Sequence, residues 1–306
     1  MEGETMSRNA EVSDPGGYPL GFRLGPSEWQ KDIGAAARWA GQNGFSFLDV
    51  IGGDAGAIEA VRGAGLRVGS ADLGTFAGFK TLITASKQER AKAVESVSNW
   101  IRTASGKGVR IFFTIMLPSD PKRSARDNFA DMVEGYGALQ PVLEATGSRI
   151  AIEGWPGPGA LCCTPETLRR FFGALSSPSY GINYDPSHLL RMGIDAYRFI
   201  DEFSERIVHV HAKDTVWMRD YLYEFGHELK GVFADPISFG AWAWRYTIPG
   251  EGTLDWGAVL GSLKQAGYQG GVSVELEDAN FNGTTEGEQR ALRRSIATLA
   301  GRTGGD

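Results

Sequence analysis

Short apolar runs alternate with longer amphipathic stretches along most of the chain. The runs fall at residues 20–24, 45–51, 66–73, 110–116, 149–155, 180–185, 206–213 and 271–277, and each has the length of a β-strand. The stretches between them predict helices over 26–42, 55–64, 87–107, 125–146, 165–175, 195–202, 255–265 and 287–300. Gly41–Phe45, Gly63–Leu66, Gly106–Val109 and Gln265–Gly270 each set a glycine stop just ahead of a strand. Eight strands, each followed by a helix, is the rhythm of a closed parallel barrel. The expected fold is therefore α/β, a (β/α)8 TIM barrel.

One segment breaks the rhythm. Residues 215–252 separate the seventh strand from its helix and carry Trp217, Tyr221, Tyr223, Phe225, Phe233, Phe239, Trp242, Trp244 and Tyr246. A long connection after a barrel strand falls on the C-terminal face, where barrel enzymes keep their active sites. The segment is expected to cover the mouth and shape a pocket; packing against a partner subunit is the alternative. The polar stretch 1–17 and the end 301–306 are expected to be tails, with one barrel domain over 18–300.

The bulk numbers agree with one barrel. A (β/α)8 domain needs roughly 250 residues, and the chain has 306, of which 42% are hydrophobic and 22% charged. A net charge of −6 and a pI of 5.4 argue against a nucleic-acid partner. The two cysteines, Cys162 and Cys163, are adjacent. Disulfide geometry is hard to meet across one peptide bond, so they are read as reduced thiols of a cytoplasmic protein. No apolar run reaches membrane-spanning length, and no signal peptide is expected.

The candidate chemistry lies in the last four strands. Glu153 is near the end of Ile150-Ala-Ile-Glu-Gly-Trp155, and Asp185 is in Asn183-Tyr-Asp-Pro-Ser-His188. His209, His211 and Lys213 alternate in the seventh strand, as do Ser273, Glu275 and Glu277 in the eighth. Alternate residues of a strand share a face, so these side chains should converge at the C-terminal mouth. Three carboxylates beside an imidazole call for a cation. Oxygen-rich ligation with one histidine suits one divalent ion. Manganese is the first expectation, with magnesium, cobalt or zinc as alternatives. Asp49, at the end of the second strand, is either a pocket residue or a solvated rim charge.

As a set, these endings resemble the xylose isomerase-like barrel superfamily, described as sugar phosphate isomerases/epimerases. The similarity runs from about residue 20 to 300. It implies Glu153, Asp185, His211 and Glu275 as metal ligands and His188 as a substrate or metal-edge contact. It also implies Glu153 and Glu275 as a proton-transfer pair. Residues 244–256 and Glu275-Leu-Glu-Asp278 are closer to the metal-bearing subunit of C-glycoside deglycosidases and related 3-keto-glycoside lyases. Some members there use a histidine of the fourth strand as a base. This chain has Thr114-Ile-Met116 at that place, so that base does not carry over. Whether Glu275 or Glu277 is the ligand stays open, since both face inward.

The expected activity is a metal-dependent sugar isomerase or epimerase acting through an enediolate. The alternatives are a lyase cleaving 3-keto-glycosides by β-elimination and a non-catalytic sugar-binding barrel. Lys213, Arg245, His188, Trp155, Trp242 and Trp244 are the candidate substrate contacts, with Lys213 alternatively a structural partner of Asp214. The expected partner is a small sugar or glycoside, with neither nucleic acid nor membrane. Assembly into a homo-oligomer, or with a small second subunit, is also expected.

Overall fold

The computed structural model describes residues 17–301. The expected tails, 1–17 and 301–306, lie outside these residues except for Gly17 and Gly301. Seven parallel strands follow in chain order: β1 (Leu20–Arg23), β2 (Phe47–Val50), β3 (Arg67–Asp72), β4 (Ile111–Ile115), β5 (Arg149–Glu153), β6 (Tyr180–Tyr184) and β7 (Ile207–Ala212). Two more, β8 (Asp214–Trp217) and β9 (Trp244–Thr247), pair antiparallel outside the barrel. The last, β10 (Val272–Val274), lies between β7 and β1 and closes the eight-stranded barrel. All eight runs chosen for their apolar content are barrel strands.

The barrel floor explains several small residues. Phe47 points inward, and a Cβ on Gly21, Gly69 or Gly271 would come within 2.5 Å of its ring. One large ring therefore fills the space that three glycines leave. Because side chains alternate, Asp49 stands one layer above Phe47, and His211 one layer above His209. The outward side chains of β1 serve the other layer: Phe22 packs against Trp29, Trp39 and Phe45 under the surrounding helices.

Local rules account for the differences from expectation. The helix expected over 125–146 is two helices, Ala125–Gly137 and Gln140–Thr146. Pro141 has no N–H to give the carbonyl of Gly137, so the first helix stops there. The helix expected over 26–42 is a 3-10 turn, Glu28–Gln30, followed by Ile33–Gln42. Asp32 caps the second part by accepting from the Ala35 N–H. Two short helices, Phe76–Thr81 and Pro186–Arg191, were not expected at all. The long segment after β7 is built on the β8–β9 hairpin, with a further helix at Arg219–Phe225. No described helix is long and apolar enough to cross a membrane. Cys162 and Cys163 are buried free thiols.

Candidate metal centre at the barrel mouth

Strand register brings the acidic and imidazole groups to one end of the barrel. Glu153 ends β5, Asp185 follows β6, His211 is the next-to-last residue of β7, and Glu275 follows β10. Asp185 is also the N-cap of Pro186–Arg191, where its Oδ1 accepts from the N–H and hydroxyl of Ser187. That short helix turns His188 back over the mouth.

Ligand atoms of Glu153, Asp185, His188 and Glu275 all lie within 4.8 Å of one another. His211 joins them: its Nδ1 is 2.7 Å from Glu153 Oε2 and 3.6 Å from Glu275 Oε2. His188 Nε2 is 3.3 Å from Glu153 Oε1 and 3.5 Å from Asp185 Oδ2. Asn183 donates to Glu153 Oε2 at 2.6 Å. The expected ligand set thus gathers at one place, with His188 added to it. Glu277 stands apart, reaching only Lys213 at 2.9 Å, so the geometry favours Glu275 as the ligand.

Several buried atoms here have no hydrogen-bond partner: Asp185 Oδ2, Asn183 Oδ1 and both ring nitrogens of His211. An unsatisfied buried polar group costs on the order of 1–3 kcal/mol, so orphans beside this cluster are what a binding site for a further group would leave. Carboxylate oxygens and imidazole nitrogens are the donors a divalent cation takes. The residues fit such an ion.

Charge in this cluster is balanced by buried cations. Lys213, 1% exposed, lies 2.5 Å from Glu275 Oε2 and 3.4 Å from Asp185 Oδ2. Burial alone would lower its pKa, but Glu275, Glu277 and Asp185 hold it well above the usual lysine value. Glu275 is held well below the usual carboxylate range: burial opposes ionisation, and Lys213, His211 and Arg23 outweigh it. Burial and the neighbouring Glu275 both oppose ionisation of Glu153. His211 and the hydrogen bond from His188 overcome them and bring it to about 2. Burial disfavours a charged His211, yet Glu275 and Glu153 raise it to about 10. The glutamates thus favour the protonated imidazole at His211.

The other expected contacts are distributed differently. Lys213 does not pair with Asp214, as one reading allowed. Asp214 turns away and accepts from the N–H groups of Thr215, Thr253 and Leu254. Burial raises its pKa to about 6. Arg245 pairs with Asp278 at 3.0 Å. Trp244 is buried beneath Arg191, whose guanidinium sits 4.8 Å from the ring. Trp242 donates its indole N–H to Ala234 within the long segment. Trp155 is half-buried two residues beyond Glu153. Asp49 is fully buried, which excludes the solvated rim charge.

Two functional-site residues escaped the sequence reading. Tyr246 of β9 shares a 2.7 Å hydrogen bond with His188 Nδ1, and Lys213 lies 4.5 Å from its ring centre. Arg23, at the end of β1, lies 2.8 Å from Asp72 and 3.4 Å from Glu275, and its guanidinium covers the Phe113 ring. Arg23 could have been found by alternation from Gly21. Tyr246 was visible only as one aromatic of the long segment; its bond to His188 was not, because nothing in the local pattern announced the hairpin.

A closed parallel barrel with carboxylates and histidines clustered at its C-terminal mouth defines a class of fold and site: a TIM barrel with a candidate cation site. The chain belongs to the xylose isomerase-like TIM barrel family, whose model matches residues 42–300. Uncharacterized protein YfiH of Bacillus subtilis is 32% identical over 234 residues, covering 74% of this chain and 67% of that protein. Inosose dehydratase of Geobacillus thermodenitrificans is 28% identical over 146 residues, covering 48% of this chain and 46% of the dehydratase. The match thus spans about half the length of that relative. The 3-keto-D-glucoside 4-epimerase YcjR of E. coli shares the fold with a TM-score of 0.65 at 18% identity, over 92% of this chain and 98% of that one. Two of these three proteins are enzymes by name, a dehydratase and an epimerase.

Proposed function

We propose that this protein is a divalent-metal-dependent sugar isomerase or epimerase. It removes the proton beside the carbonyl of a sugar or keto-sugar and returns one to give the product. The observation that carries this reading is the pair Glu153 and Glu275, which come from opposite stretches of chain to one cluster of metal-type donors.

Glu153, Asp185, Glu275 and His211 would hold the ion, with His188 at its edge. A divalent ion there supplies Lewis-acid stabilisation to an anionic enediolate. Glu153 and Glu275 act as the acid/base pair on either side of the substrate. His188, fixed by Tyr246, and Lys213 donate to substrate oxygens, and Trp155 offers an apolar face to the sugar ring. Each cation closest to the cluster already faces carboxylates: Arg23 faces Asp72 and Glu275, and Lys213 faces Glu275, Glu277 and Asp185. This pairing favours an uncharged polyol over a phosphorylated one. Manganese is the ion we expect.

A second reading, dehydration or another β-elimination, is favoured by the likeness to inosose dehydratase. It shares the first step. It differs in that a group leaves the next carbon and takes a proton, for which Lys213 is the candidate donor. Manganese-loaded protein should be incubated with unphosphorylated ketohexoses, 3-keto-glucosides and inososes, and the products followed by carbon NMR. A new epimer or isomer supports the first reading, and loss of water or an aglycone supports the second. No turnover of any of these by protein with bound manganese would contradict both.

A further inference from the structure

We infer that Asp49 is a positioning residue that holds the His211 ring with Nδ1 toward the two glutamates, an inference resting on the metal reading above. Asp49 lies on β2, across the barrel from β7, and is fully buried together with His209 and His211. Its Oδ1 is fixed by the N–H of Ser70 at 2.6 Å. Its Oδ2 faces both imidazoles through the same ring atom: His209 Nε2 at 2.8 Å and His211 Nε2 at 3.8 Å. The first is a hydrogen bond. The second is too long for one, and His211 Nε2 is left with no hydrogen-bond partner.

The tilt of the His211 ring is set by Phe113, which stacks on it at 5.2 Å between centroids with 26° between planes. Stacking does not decide which ring edge faces the mouth, because a half-turn of the imidazole leaves its plane unchanged. Asp49 does decide it. With the edge seen here, Nδ1 faces Glu153 and Nε2 faces a carboxylate. After the half-turn, carbon would face both. Asp49 also selects the tautomer. A carboxylate below Nε2 favours the proton there, which leaves the Nδ1 lone pair free for a cation. Asp49 thus hydrogen-bonds His209 and acts on His211 through its charge at 3.8 Å. Such outer carboxylates typically change metal affinity by about 10- to 100-fold.

The test is calorimetric titration with Mn2+ of the wild-type protein, Asp49→Asn and His209→Gln, with folding of each checked by circular dichroism. Asp49→Asn should bind Mn2+ about 10- to 100-fold more weakly. His209→Gln, which leaves the carboxylate in place, should lose much less. Nitrogen NMR of the Zn2+-loaded wild type should show His211 protonated at Nε2, a readout that needs no variant. Equal loss in both variants would mean that Asp49 merely holds His209 and would overturn the inference. So would a His211 bound through Nε2, or unchanged affinity in a folded Asp49→Asn protein. A wild type that binds neither ion would instead overturn the metal reading itself.

Discussion

The two glutamates of the mouth sit in different company. Glu275 is flanked by cations that keep their charge, Lys213 at 2.5 Å and Arg23 at 3.4 Å. Glu153 is surrounded by His188, His211 and Asn183, two imidazoles and a neutral amide donor. Both are ionised against burial, Glu275 by Lys213 and His211 with Arg23, Glu153 by His211 and the hydrogen bond from His188 without a lysine or arginine at its side. A carboxylate held by fixed cations is a poor place to leave a proton. A carboxylate without a lysine or arginine beside it is the better placed of the two to exchange a proton with a substrate. On this comparison, the proposed proton transfer should depend more on Glu153, and the proposed metal binding more on Glu275.

The largest effect should follow from changing Glu153. Glu153→Gln cannot act as a base, and turnover should fall on the order of 10²- to 10⁴-fold, the usual contribution of one positioned acid or base. Glu275→Gln should lose more in metal binding than in the proton-transfer step once metal is saturating. Steady-state kinetics at saturating Mn2+ separate the two, and identical profiles would erase the distinction.

Lys213 comes next. Lys213→Met leaves buried Asp185 and part-buried Glu275 without the lysine between them, with Arg23 still beside Glu275. Breaking a buried ion pair from one side costs about 3–5 kcal/mol. Urea unfolding of metal-free protein should show a loss of that size, and added Mn2+ should recover part of it. An unchanged midpoint would mean that Lys213 does not balance the cluster.

The pH dependence should separate the glutamate with imidazole neighbours from the one with fixed cations. His211 is raised to about 10 from its ordinary 6.5. Its contribution to stability is therefore complete below 6.5 and lost as pH rises through 10. Glu153 is lowered to about 2 from 4.5, so its contribution is complete above 4.5 and lost as pH falls through 2. Mn2+ must displace the His211 proton, so its affinity should rise with pH by about tenfold per unit below 10. Calorimetry in buffers of different ionisation heat should detect the released proton. A pH-independent affinity would mean that His211 is not a ligand.

The smallest effect is expected at the hairpin. Tyr246→Phe removes the hydrogen bond to His188 and should cost about 1 kcal/mol, read as a modest rise in KM with the barrel's unfolding nearly unchanged. A loss as large as that of Glu153→Gln would move Tyr246 into the proton-transfer step.

These roles were legible to different degrees before the structure. Barrel strands announce themselves because both faces are buried and their apolar runs are dense. Glu153, Asp185, His211 and Glu275 stand out because polar residues interrupt those runs at corresponding ends. What could not be read depends on distant chain. Arg23 gains its meaning from Asp72 and Glu275, and Asp49 from β7 across the barrel. Tyr246 depends on a hairpin whose strands are separated by 26 residues, 218–243, with no short turn to mark it. The exposed Tyr223, Leu229, Val232 and Phe233 of that segment lie away from the cluster's hydrogen bonds. The aromatic density that suggested a lid therefore belongs to two parts: a buried hairpin base that touches the site and an exposed outer stretch.

The most direct test of the central claim is solvent exchange. Manganese-loaded protein would be incubated in D2O with a keto-sugar that it turns over, and deuterium located by proton NMR. The account predicts deuterium at the carbon beside the carbonyl, stopped by a chelator and strongly slowed in Glu153→Gln. Turnover that continues at full rate after complete removal of the metal would contradict it, as would exchange undiminished in Glu153→Gln.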